Sequence, residues 1–84
     1  MKTADELFKE LGYEIEDKSF SSILYEKNIS LSERVYIYFR LKEKLVQAEY
    51  VDDDYEMRGA SYLNMQELKA INEKCKELGW LDVH

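Results

Sequence analysis

Apolar residues recur every three or four positions at the two ends of the chain and every second position in its middle. Near the start, Ala4, Leu7, Phe8 and Leu11 share one face of a helix. Near the end, Met65, Leu68, Ile71, Cys75 and Leu78 form a longer stripe of the same kind. In between, Val35, Ile37, Phe39 and Leu41 alternate with Tyr36, Tyr38 and Arg40, the signature of a strand with one buried face. The pattern therefore predicts helix, then sheet, then helix.

Local signals sharpen the helix ends. Thr3-Ala4-Asp5-Glu6 and Asn64-Met65-Gln66-Glu67 both read as capping boxes, in which the cap side chain and a glutamate three residues on satisfy each other's backbone amides. Asp5 and Lys9 stand at pairing distance on the exposed side of the first helix. The two helices stop on the same phrase. Lys9-Glu10-Leu11-Gly12-Tyr13 is echoed by Lys76-Glu77-Leu78-Gly79-Trp80, a glycine that can take positive φ followed by an aromatic able to fold back on the last turn. Two short matches do not make a repeat, so the phrase reads as scaffold in both copies.

Val46 to Val51 continues as a second extended run after the first strand, with Lys42-Glu43 as the turn of a hairpin, although that turn has no Gly, Asn or Asp. A rival reading opens one long helix at Ser30-Leu31-Ser32-Glu33 and runs it to Tyr50. Four consecutive β-formers at 35–38 favour strands. Tyr13 to Glu16 and Ser22 to Tyr25 read as two shorter strands joined through Asp17-Lys18-Ser19. The expected fold is α+β in the order α-β-β-β-β-α, an antiparallel sheet of three to four strands with both helices on one face. Asp52 to Leu63 is then a connection of twelve residues, a length that often marks function or motion.

With 84 residues the chain is one small domain that buries roughly 60–65% of its unfolded surface. Seven of its eleven aromatics are tyrosine, large side chains that add core area to a short chain. One cysteine leaves no intramolecular disulfide, and no run approaches the length of a membrane span, so a cytoplasmic protein with neither signal peptide nor membrane contact is expected. A net charge of −6 opposes general nucleic-acid affinity and favours a basic partner.

Few residues suggest chemistry. His84 is the terminal residue and a weak candidate for acid–base or metal work. Cys75 lies on an apolar stripe, where a small buried side chain is the ordinary reading. Three glycines, two of them helix stops, cannot build a phosphate loop, and zinc spacing and a credible Ser–His–Asp set are absent. No cofactor, metal or enzymatic activity is expected. Two binding constellations remain. Asp52, Asp53 and Asp54 with Glu49 and Glu56 form the densest acidic cluster, read as a solvated loop, as a calcium site without EF-hand spacing, or as an acidic surface facing a basic groove. Glu14, Glu16 and Asp17 are candidates to extend it. Arg34, Tyr36, Tyr38 and Arg40 on the hairpin form the alternative, a stacking platform for bases or a face for a partner subunit.

The opening from Lys2 to Tyr13 and the closing run from Leu63 to Leu81, with its Glu-Leu-Lys-Ala-Ile-Asn-Glu-Lys-Cys-Lys-Glu-Leu-Gly-Trp-Leu core, resemble small uncharacterised proteins encoded by phages and prophages of Gram-positive bacteria. The resemblance covers about a third of the chain, at its two ends only. It carries no residue role. What it implies is context: a phage-borne, cytoplasmic accessory protein in the host cell. Together with the acidic charge it leads to the expectation of a non-enzymatic inhibitor or modulator of a host or defence nucleoprotein, anti-CRISPR-like in its most concrete form. A nucleic-acid-binding accessory domain and a self-associating module, pairing through the tyrosine face or an open strand edge as a homodimer, are the alternatives.

Overall fold

A computed structural model describes residues 2–81, so His84 lies outside the described residues. The order is α1 (Ala4–Glu10), β1 (Tyr13–Lys18), β2 (Ser22–Asn28), β3 (Glu33–Arg40), β4 (Leu45–Asp52), β5 (Met57–Ala60) and α2 (Met65–Glu77). The strands form one antiparallel sheet in sequential order, each paired with the next. The fold is α+β, with five strands rather than three to four. The added strand is β5, which lies within the stretch expected to be a long connection. Its four exposed residues, Met-Arg-Gly-Ala, alternate in nothing and include no β-branched side chain, so only pairing to β4 makes them a strand. The long-helix alternative for 30–50 is excluded by the pairing of β3 with β2 and β4.

Both capping boxes form as expected. Gly12 and Gly79 adopt φ of 94° and 76°. At the end of α2 the Trp80 amide donates to Cys75 O at 2.9 Å and the Gly79 amide to Lys76 O at 3.0 Å, the two bonds of a Schellman stop. The turns are less conventional. Leu41–Lys44 and Asp53–Glu56 are both four-residue loops whose last residue takes positive φ, Lys44 at 56° and Glu56 at 50°. A left-handed residue does there what an Asn-Gly pair would do in a shorter turn. The first hairpin turns at Ser19–Ser21 rather than Asp17–Ser19, because the Ser19 hydroxyl accepts from the Ser22 amide at 3.2 Å and so closes the turn with its own side chain.

Both helices pack on the sheet face carrying Tyr13, Ile23, Tyr25, Val35, Ile37 and Phe39. Phe8 is the centre of this core. It stacks on Tyr25 at 4.1 Å and meets Tyr13 and Phe39 edge-on at 5.7 and 6.1 Å. Trp80 folds back onto Phe39 at 6.2 Å. The face that α2 buries is rotated from the expected stripe. Glu67, Ala70, Ile71, Lys74 and Cys75 are buried, whereas Met65 and Leu68 are exposed. Buried charge is tolerated because each group has partners. Tyr13 donates its hydroxyl to Glu67, and Tyr25 donates to Asp5. Lys74 Nζ lies 3.4 Å from Asp5, so Asp5 pairs across the helices rather than with Lys9.

Burial, reinforced by the carboxylate each hydroxyl binds, raises the pKa of Tyr13 and Tyr25 far above the usual phenol value. A raised folded-state pKa stabilises the fold fully below the unfolded value near 10, and that contribution is lost as pH rises above it. Urea unfolding is therefore expected to show stability nearly constant up to about pH 9 and falling above it, by about 1.4 kcal/mol in total between pH 9 and 11 for each of the two phenols. Tyr13→Phe and Tyr25→Phe each remove one share of that slope, and an unchanged slope in both variants contradicts the tethers. Alanine at Gly12 or Gly79 is expected to lower stability by about 1 kcal/mol in the same measurement.

Candidate functional site

Strand parity sends every second residue of the sheet away from the helices. On β3 these are Arg34, Tyr36, Tyr38 and Arg40, so the whole hairpin constellation lies on one face of the central strand, and among the described residues no helix packs there. The Tyr36 and Tyr38 rings stand 6.0 Å apart, tilted by 39°. The Arg40 guanidinium lies 5.9 Å from the Tyr38 ring and its Nη2 donates to Gln47 at 3.4 Å. Register places Glu26 and Glu49 on either side of Tyr36, and Leu24 and Gln47 on either side of Tyr38. Desolvation first, and the Glu26 carboxylate second, hold the Tyr36 phenol above its ordinary pKa.

The acidic cluster does not stay together as one loop. Glu49 faces the tyrosine side and pairs with Arg58 Nε at 3.5 Å. Asp53 forms an ion pair with Arg34, and the Asp53 amide donates to Ser32 O at 2.9 Å, which fixes the β4–β5 turn beside the β2–β3 turn. Asp52 points to the helix side and is buried. Its Oδ1 accepts from the Asp54 amide at 3.0 Å and so shapes the turn. Tyr50 donates to Glu33 at 2.6 Å, and this bond, with desolvation and the nearby Asp52 charge, pushes the Tyr50 phenol up to about 12. Asp54 and Glu56 occupy the exposed turn itself.

The two constellations are therefore joined. The Arg34–Asp53 pair and the Tyr36–Glu49 register make one continuous face, with Asp52 removed to the other side. Sequence reasoning missed Leu24, Glu26, Val51 and Arg58 on it. Leu24 and Glu26 were accessible through the parity of β2, had that strand been read to its full length. Val51 is buried on this face although it points away from the helices, because Arg34 and Arg58 are its cross-strand partners on both sides. Arg34 Nε is buried there and lacks a hydrogen-bond partner.

The other candidates are placed as follows. Cys75 is buried, and desolvation raises its thiol pKa, the opposite of an activated nucleophile. Glu14, Glu16 and Asp17 are exposed on edge strand β1, remote from the β4–β5 turn in strand order. Among the described residues, no group of three or more His, Cys, Asp and Glu is placed to hold a metal ion, and no helix is long and apolar enough to cross a membrane. The class defined by fold and site is an α+β domain with one helix-covered sheet face and one uncovered face bearing aromatic and paired charged residues. No family model, curated protein or solved structure matches the chain.

Because Asp52 shapes the turn while Asp54 and Glu56 only decorate it, their charge reversals are expected to differ. Asp52→Lys lowers the free energy of unfolding by at least about 1 kcal/mol. Asp54→Lys and Glu56→Lys stay within about 0.5 kcal/mol of the wild type. Chemical denaturation of the three variants checks this, and equal losses contradict the division.

Proposed function

We propose that the protein is a non-enzymatic binding module that docks a protein partner with a basic surface on the uncovered face of its sheet. The observation that carries this is the pair Tyr36 and Tyr38, half-buried side by side on the central strand and flanked by Glu26, Glu49, Arg34 and Arg40. Aromatic and arginine side chains surrounded by charged residues are the composition of a protein-binding hot spot with a polar rim. The carboxylates beside Tyr36 weigh against base stacking, because they would repel a nucleic-acid backbone drawn over the same rings. The net charge of −6 and the exposed Asp54 and Glu56 at one end of the face supply long-range attraction for a basic partner and a salt-sensitive association rate.

The most concrete form of this reading is inhibition or modulation of a host or defence nucleoprotein in the cytoplasm, where an acidic domain occupies a groove built for nucleic acid. The resemblance of the chain ends to small phage proteins supports that context. Affinity capture from lysate of a Gram-positive host, with and without nuclease, tests it. Capture is expected to survive nuclease, to weaken with salt, and to fall at least tenfold in the Tyr36→Ala/Tyr38→Ala double variant. Loss of capture on nuclease treatment would instead favour the nucleic-acid reading, and capture indifferent to the double variant refutes the tyrosine face.

A further inference from the structure

The sheet has two edges, and they are not alike. β1 carries Glu14, Glu16, Asp17 and Lys18 and contains a bulge between Ile15 and Asp17, the ordinary devices that stop another strand from adding. β5 has neither. Its residues are Met57, Arg58, Gly59 and Ala60, all exposed, and its one charge is engaged by Glu49 on the strand next to it.

The ladder fixes which backbone groups of β5 are free. Ser61 donates to Ala48 O at 3.1 Å, in register with the Glu49–Ala60 and Tyr50–Gly59 pairs. Antiparallel bonding alternates, so residues 57, 59 and 61 bond to β4, and the N–H and C=O groups of Arg58 and Ala60 point outward. On the β3 side the Asp53–Ser32 bond follows the same alternation, with odd-numbered residues of β4 facing β3. Outside the ladder, no described backbone group bonds to Arg58 or Ala60.

The surroundings fit an extended chain. A Cβ built on Gly59 meets nothing within 4 Å, so the helix side of β5 is open. Next to it runs a groove of about 430 Å³ whose walls include Ile29, Val35, Tyr50, Tyr62 and Glu67. The turn leading into β5 carries the exposed Asp54 and Glu56. Apolar walls suit the long aliphatic stem of a lysine or arginine, and the acidic turn with the net charge of −6 favours its positive end.

We propose that β5 is an acceptor edge, and that an extended segment of a basic partner protein adds to it as a sixth strand, pairing with the outward groups of Arg58 and Ala60 and laying a lysine or arginine stem along the groove. The inference rests on the proposed function only in taking the partner to be a basic protein; it does not use Tyr36 or Tyr38. A second copy of this chain is the less suited occupant. Pairing of β5 with itself brings two chains of charge −6 together, whereas a basic strand meets the same edge with opposite charge.

Strand addition draws its affinity from main-chain bonds, so a generic probe suffices. The probe is a capped ten-residue peptide of alternating lysine and valine, titrated into the labelled protein and followed by amide shifts and hydrogen exchange. Slowed exchange is expected at the Arg58 and Ala60 amides, with at least a tenfold loss of affinity in Ala60→Pro. That proline removes an N–H the fold does not use, and a proline is tolerated at such an edge position. Arg58→Pro removes the other outward N–H and serves if Ala60→Pro does not fold. Three results overturn the inference: no binding up to millimolar peptide, binding that perturbs only Asp53, Asp54 and Glu56 and is unchanged by either proline, or a concentration-dependent dimer of the protein alone that Ala60→Pro abolishes. Peptide binding that persists in Tyr36→Ala/Tyr38→Ala separates the edge from the tyrosine face, so the failure of one is not the failure of the other.

Discussion

Two core tyrosines hold both helices to the sheet through the polar ends of otherwise apolar side chains. Tyr13 and Tyr25 stand on neighbouring strands with their rings against Phe8, and their hydroxyls reach Glu67 on α2 and Asp5 on α1. Each ring supplies apolar contact and each hydroxyl sets the orientation of one helix, a combination that phenylalanine cannot provide. Glu67 is bound twice over, since it also accepts from the Asn64 amide in the capping box that starts α2. The start of α2 and its seat on the sheet are thus set by one carboxylate. Lys74, buried between Asp5 and Glu77 and facing the Tyr25 ring at 6.0 Å, completes the link at the other end of α2.

This arrangement decides what is left uncovered. α1 has seven residues and α2 thirteen, and both are committed to the face over β1 to β3. Among the described residues, no helix covers the opposite face or the outer edge of β5. The uncovered face manages its apolar content locally instead. Val51 is shielded by Arg34 and Arg58, and each arginine is tethered by a carboxylate, Asp53 or Glu49. Charged side chains are here a cover for apolar surface more than a source of binding energy, since exposed ion pairs contribute little.

What was legible in the sequence was what residues three to five apart can settle. The capping boxes, the glycine stops and the contact of Tyr13 with Phe8 are all local. The period of two in β3 was legible as well, and with it the sharing of one face by Arg34, Tyr36, Tyr38 and Arg40. The buried stripe of α2 was not. It depends on Glu67 meeting Tyr13, 54 residues away, and on Lys74 meeting Asp5, 69 residues away, and without those partners both charges belong outside. β5 was hidden because four residues without alternation become a strand only when β4 stands beside them. The separation of Asp52 from Asp53 was hidden too, although parity contains it, because the strand had to be known to run through Asp52.

The join between the tyrosine hairpin and the acidic cluster follows from a register, and the register follows from a turn. Lys44 at positive φ closes the β3–β4 loop at four residues, which sets Glu49 opposite Tyr36 and brings Asp53 to Arg34. A one-residue slip would send Glu49 and Asp53 to the helix side and Asp52 to the tyrosine side, breaking both the turn and the shield over Val51. The same register therefore specifies the fold and composes the face. It also bears on what can bind there. The ladder sets Glu26 and Glu49 beside Tyr36, so a phosphate backbone drawn over that ring would pass between two carboxylates, whereas the proposed cationic partner would meet them with opposite charge. The case for a basic protein partner lies in that fixed geometry more than in the overall charge, which says only that the molecule is acidic and not where.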